Sequence, residues 1–347
     1  MDHLIQSGQG ADALAAKLLD GDLLQFGAGS FNNGATIQAK NHCNISGDPS
    51  HAAQITVAGG HDGVFVSRYV GGASLSDLTF QTVSKASAAC SISGSDCTIN
   101  GLTQIGAGRV LTFNSAQRLT ADMLISTNGL MEDYGIWAGL DGLQPPHGPI
   151  DCRLARFDLT MLLGMHGIRI HKHTNLVLGD ANLSLPGFNF AGRVKYHSPY
   201  RGAAITLKEG SNAKVIRVWT DGPVGVGPNQ AELGNAGWEQ LRTDGTLFSG
   251  CEFNVQDRFF ALGAGAINTR VETSIIRAQA GFACLSIGGP WKAWPAATGV
   301  FDNVQFFGSS LCGQSNRPYL AGFTFTSCTL NGNPLSSNGD VIQTKGS

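Results

Sequence analysis

The chain reads as an all-β solenoid, a coil of short strands in which each turn stacks on the one before, and three observations predict it. Short β-type runs broken by Gly, Asn, Ser or Asp recur from about Gly21 to Gly332, at spacings of roughly 20 to 37 residues. Glycine occupies 47 of 347 positions, about twice its ordinary share of roughly 7%, and supplies the positive-φ corners that a coil of short strands needs. Only 14% of residues are charged, so the outer surface is mostly hydroxyl, amide and backbone.

Gly63–Ser67, Gly167–His171, Ala204–Lys208 and Phe260–Leu262 each open a coil, and a second run such as Ala73–Phe80 or Asn212–Trp219 follows. Alternation along a strand puts Ile168 and Ile170 on one face, and Arg169 and His171 on the other. The cadence crosses every candidate boundary, which predicts one elongated domain over 21–333, with an N-terminal segment at 1–20 and a polar tail at 334–347. Ala11–Asp20 has the pattern of a short amphipathic helix, with Leu14, Leu18 and Leu19 on one side. It is expected to cap the open end of the core.

No apolar stretch approaches the ~20 residues of a bilayer span, and Met1–Gly10 lacks the basic start and apolar core of a secretory signal. The expectation is a chain without a signal that does not insert in a membrane. The eight cysteines show neither C-x-x-C pairs nor zinc-type spacing. They read as small buried residues on stacked turns and strands, with pairing of Cys90 and Cys97 in an oxidising setting as the alternative.

Further motifs bear on family. After the helical segment come Gly21-Asp22-Leu23-Leu24-Gln25-Phe26-Gly27-Ala28-Gly29-Ser30-Phe31, then Ala35–Gln38, ending at Cys43-Asn44-Ile45-Ser46-Gly47. Later, Ile205–Asn212 is followed by Val215-Ile216 and Val224–Gly227. This order resembles the first and recurrent coils of the pectate-lyase-like superfamily, although Glu209 stands where the recurrent coil commonly has glycine. The resemblance implies a single-stranded, right-handed parallel β-helix with an N-terminal capping helix. It also implies a polysaccharide ligand, since the superfamily comprises pectate, pectin and alginate lyases, polysaccharide hydrolases, epimerases and phage tailspike depolymerases. Fold alone does not choose among these activities.

The window His147–Arg217 holds ten Lys or Arg against four Asp or Glu, and five of the nine histidines, in a chain of net charge −2. Such a band favours an anionic partner. If Ile168 and Ile205 are equivalent inward positions, Arg169 stacks near Thr206 and His171 near Lys208, while Leu185–Gly202 bulges outward with Arg193, Tyr196, His197, Tyr200 and Arg201. A second bulge, Pro228–Gly245, contributes Trp238. The expected chemistry is β-elimination on an anionic polysaccharide. Lys208 or His171 serves as base, Arg169 and Arg201 clamp the carboxylate, and Tyr200 or His197 donates a proton. Arg193, His173, Tyr196 and Trp238 complete the sugar-binding set, His171 and His173 being expected as exposed imidazoles on the same side.

Hydrolysis requires two carboxylates roughly 5 to 9.5 Å apart. No pair is evident by register, and Asp next to Gly is explained by turn formation. No cofactor is expected; calcium stays open as an option that the sequence does not support, because no cluster of carboxylates is apparent. The Gly-Ala-Gly triplets at Gly27–Gly29 and Gly263–Gly265 sit at corners, not before a phosphate-binding helix, so neither nucleotide nor nucleic acid is expected as a partner. The functional alternatives are an extracellular lyase or hydrolase, a virion tailspike depolymerase that assembles as a homotrimer, and a glycan-binding rod without turnover.

Overall fold

The computed structural model describes residues 2–6, 18–50, 52–84, 87–129, 134–139, 148–161, 166–184, 203–221, 238–255, 260–278, 280–290 and 294–342. They fall into two compact units, Met1–Leu176 and Val177–Ser347, both made of the same coil. A coil has a leading, a middle and a closing run, for example Leu23–Phe26, Gly29–Asn33 and Ile37–Gln38 in the first unit, and Leu247–Ser249, Glu252–Val255 and Phe260–Leu262 in the second. Leading and middle runs pair in one sheet and closing runs in another. In Ser74–Thr82, Thr98–Gly106 and Thr120–Gly129 the leading and middle runs merge into one bent strand. Ladders between successive coils are parallel, as for Ser74–Thr82 against Thr98–Gly106. Ion pairs between neighbouring coils join residues 22, 34 and 37 apart, which is the cadence read from the sequence.

Register stacks like on like. In the first unit's closing runs, Ile37, Val64, Cys90, Leu111, Ile136 and Ile168 form one inward column, each fully buried. In the second unit's leading runs the column is Leu178, Val215, Phe248, Val271, Phe301 and Phe325. One column departs from the apolar rule. Gln104 stacks on Phe80 and Ser126 stacks on Gln104, all three buried. Gln104 donates to Thr82 Oγ1 at 2.9 Å and to the Gly106 carbonyl at 3.0 Å, and accepts from Ser126 Oγ at 2.8 Å. This is how buried polar groups are tolerated.

The corners are narrow. Between leading and middle runs the chain turns on one residue of positive φ, namely Asp77, Gly101, Met123 and Arg156 in the first unit, and Asp180, Arg217, Gly250, Thr273, Asn303 and Ser327 in the second. At the equivalent place in an earlier coil, a Cβ on Gly47 would lie 1.9 Å from the Asp77 carbonyl oxygen, so only glycine fits. A second corner, from closing to leading run, uses His42, Gly72, Asp96, Arg118, Asp151 and Asn175. Salt bridges line both corners. Arg118 forks onto Asp96 at 2.6 and 2.7 Å, and Arg217 onto Asp180 at 2.5 and 2.9 Å. The Arg118 guanidinium holds the Asp96 carboxyl below its ordinary range, and Arg156 does the same for Asp122. Arg156 and Arg217, counted in the sequence as part of a basic band, are thus matched by acids one coil away.

The described residues add two elements at the termini. The helical segment falls mostly outside the described residues, and Leu18–Asp20 within it shows no helix. Asp2–Ile5, ahead of it, is a strand paired in parallel with Leu23–Phe26. At the other end, part of the segment read as a polar tail folds back: Leu335 is 7% exposed and forms an antiparallel bridge with Val341.

All eight cysteines are free thiols, and all but Cys312 are buried, so the Cys90–Cys97 pairing does not form. Burial pushes the Cys152 and Cys251 thiols to about 11 and Cys284 to about 12. Because the thiolate is the reactive form, only half-exposed Cys312 is expected to react with a disulfide reagent at neutral pH in the native protein. Titration with such a reagent before and after unfolding in guanidinium checks this, with eight thiols expected after unfolding.

Candidate functional site

The outward side of the first unit's closing sheet gathers chemistry from successive coils. Register aligns Gln38, Phe65, Ser91, Thr112, Trp137 and Arg169 in one outward column. Their inward neighbours Val64, Cys90, Leu111, Ile136 and Ile168 are fully buried, so alternation carries the column to the other side. Its centre is sheltered although it faces away from the core: Ser91 and Thr112 are each 8% exposed, and Ala89 and Val110 beside them are fully buried. Trp137 and Arg169 rise half-exposed at one end of this strip.

Trp137 is held from two sides. The Arg109 guanidinium lies 4.7 Å from its ring centroid, an attraction of about 0.5–2 kcal/mol depending on desolvation. The indole also sits over Gly139, where a Cβ would come within 2.3 Å of the ring. Asn114 accepts the Gly139 backbone N–H at 2.7 Å and fixes that backbone. Arg169, one coil beyond Trp137, donates from Nε to His171 Nε2 at 2.9 Å. His171 therefore presents Nε2 as an acceptor, the form a proton-abstracting imidazole needs.

Of the residues expected from sequence, the structure brings Arg169 and His171 together as half-exposed side chains. Lys208 is half-exposed on Ala203–Ser211 in the second unit, where its register partner is Leu241. His173 is a correction: it is 1% exposed. Lys172 adopts φ +49°, which ends the strand alternation after His171 and turns His173 inward. Trp238 is not in a bulge, because Trp238–Asp244 is a strand paired in parallel with Ala203–Ser211. Arg193, Tyr196, His197, Tyr200 and Arg201 lie outside the described residues.

The sequence reading missed Trp137 and Arg109. The signal was present, since Gly135-Ile136-Trp137-Ala138 has the same pattern as Gly167-Ile168-Arg169-Ile170. It also missed a carboxylate pair. Glu272 and Asp302 are register partners in the second unit, and Arg270 reaches both, at 2.7 and 3.4 Å. Among the described residues no group of three or more His, Cys, Asp or Glu is placed to hold a metal ion, and no helix is long and apolar enough to cross a membrane.

No protein-family model and no curated protein matches the chain. Solved structures do match. The catalytic domain of a GH87 alpha-1,3-glucanase, in complex with tetrasaccharides, aligns with a TM-score of 0.57 and 10% identity over 94% of this chain and 68% of its own. The fold is the parallel β-helix. A pectate lyase aligns at TM-score 0.54 with 11% identity, over 99% of this β-helix chain and 87% of its own. An alginate lyase from Paenibacillus sp. aligns at 0.50 with 14% identity, over 88% and 95%. These likenesses are of architecture, and the chemistry of this β-helix has to be argued from its own side chains.

Proposed function

We propose that this β-helix protein binds an anionic polysaccharide along the outward strip of its first unit and cleaves it by β-elimination, acting outside a cell or on a virion. The observation that carries the reading is Trp137 set between Arg109, stacked at 4.7 Å, and Arg169, its register partner. An aromatic face suits a sugar ring, while guanidinium forks suit its carboxylate. That solved proteins sharing the architecture include two named as lyases and one bound to tetrasaccharides supports a glycan as ligand.

In this reading Arg169 turns from His171 to the incoming carboxylate and neutralises it, which acidifies the proton on the adjacent carbon. The released Nε2 of His171 takes that proton. Its bonding pair becomes the ring double bond, and the bond to the β-oxygen breaks with both electrons on that oxygen, which takes a proton from water. In the alternative reading the base is Lys208 of the second unit, with Arg201 as its clamp.

The test is incubation with polygalacturonate and alginate, following absorbance of unsaturated ends together with new reducing ends. Unsaturated ends that persist in Lys208→Ala and vanish in His171→Ala are expected. Reducing ends without unsaturation overturn elimination and direct attention to Glu272 and Asp302. No binding of either polymer overturns the reading as a whole.

A further inference from the structure

The second unit carries another surface with the chemistry of sugar recognition, on the outer side of its middle runs. Register aligns Trp219 with Glu252, and Asn254 with Arg277, which in turn aligns with Phe307. The residues beside them along each strand point inward: Val218 and Thr220 are 1% exposed, and Phe253, Ile276 and Phe306 are fully buried. The five outward side chains are half-exposed.

Arg277 is the centre of the arrangement. Its guanidinium stacks on Phe307, 4.4 Å from the ring centroid, and its Nε donates to Glu252 Oε1 at 3.1 Å. Held by both contacts, it still has its two terminal nitrogens to offer as donors, and Glu252 keeps Oε2 as an acceptor. Asn254 gives Nδ2 to the Thr220 carbonyl at 3.1 Å and keeps Oδ1 as an acceptor. The Trp219 indole N–H has no hydrogen-bond partner among the described residues. Trp219 and Phe307 lie three coils apart along the ladder, roughly 14 Å at ~4.8 Å per rung.

A strip with an aromatic ring at each end and a fixed row of donors and acceptors between them matches the alternating ring faces and hydroxyls of an oligosaccharide. The one guanidinium and the one carboxylate at its centre neutralise each other, so the strip has no net attraction for an anion. We infer that Trp219, Glu252, Asn254, Arg277 and Phe307 form a binding site for a neutral oligosaccharide, separate from the Trp137 strip and independent of whether that strip is catalytic.

The test follows the indole N–H signal of Trp219 by NMR, assigned through its loss in Trp219→Phe. The probes are neutral hexasaccharides of gluco, manno and xylo configuration, raised to about 10 mM, the weak end of useful saccharide affinity. At least one is expected to shift the signal saturably. Arg277→Met is expected to weaken that binding at least about tenfold, the effect of losing one well-made contact. Glu252→Gln preserves the shape and keeps the fold comparison clean; it is expected to retain the neutral probe and to gain affinity for oligogalacturonate. The inference is overturned if no neutral hexasaccharide moves the Trp219 signal, if Arg277→Met binds as the wild type does, or if oligogalacturonate is the preferred ligand of the wild-type strip.

Discussion

Arg169→Ala is expected to lower turnover of an anionic polysaccharide by about 10²–10³-fold, the scale on which loss of one charge-stabilising donor acts on a reaction that develops negative charge. Two effects coincide in this variant. The carboxylate loses the guanidinium that stabilises its charge as the neighbouring proton leaves, and His171 loses the donor that holds its Nε2 as an acceptor at 2.9 Å. Arg169→Lys separates them. A lysine restores positive charge but not the planar fork, so partial rescue of kcat with a raised KM is expected if Arg169 grips substrate. Trp137→Ala provides the contrast: loss of a stacking surface weakens ground state and transition state alike, so KM rises while kcat changes little. Steady-state rates of unsaturated-product formation for the three variants check the set. Wild-type rates in Arg169→Ala would remove Arg169 from the chemistry.

Phe301→Ala is expected to cost about 3–5 kcal/mol, the range for truncating a fully buried aromatic side chain. The Phe301 ring stacks on Phe325 at 5.1 Å with an interplanar angle of 4°, meets Phe306 edge-on at 5.5 Å and lies 5.6 Å from Phe323. The neighbours are fixed by parallel ladders on both sides, so the backbone has little freedom to collapse into the space left behind. Urea denaturation measures the loss. Hydrogen exchange locates it, with the largest increase expected in Thr269–Glu272, Gly299–Asp302 and Phe323–Thr326, because coils of this kind depend on their nearest neighbours.

The coil itself was legible because each strand carries its own evidence of burial. Ile168 and Ile170 are fully buried while Arg169 and His171 are half-exposed, as alternation requires. What sequence could not supply was register across segments of unequal length. Trp137 and Arg169 are partners across 32 residues, whereas Thr112 and Trp137 are partners across 25, and nothing local marks the difference. His173 was misread for a related reason. A non-glycine residue at positive φ, here Lys172, leaves no compositional trace, and it reverses the side on which the next side chain emerges. The strand at Asp2–Ile5 was hidden because four residues beside a helix-like segment show too little periodicity to be told from a loop.

The corner between leading and middle runs turns on one residue from Asp77 onward, but in the preceding coil six residues separate Ser46 from Ala53, and from closing to leading run the step from Ile92 to Thr98 becomes one from Ala138 to Arg153. Variation in chain length is therefore taken up at the corners, between the stacked runs. New peptide could be spliced there to change which ligand is met, without altering a single stacked hydrophobic column, so the scaffold and its specificity are free to evolve, or to be engineered, separately.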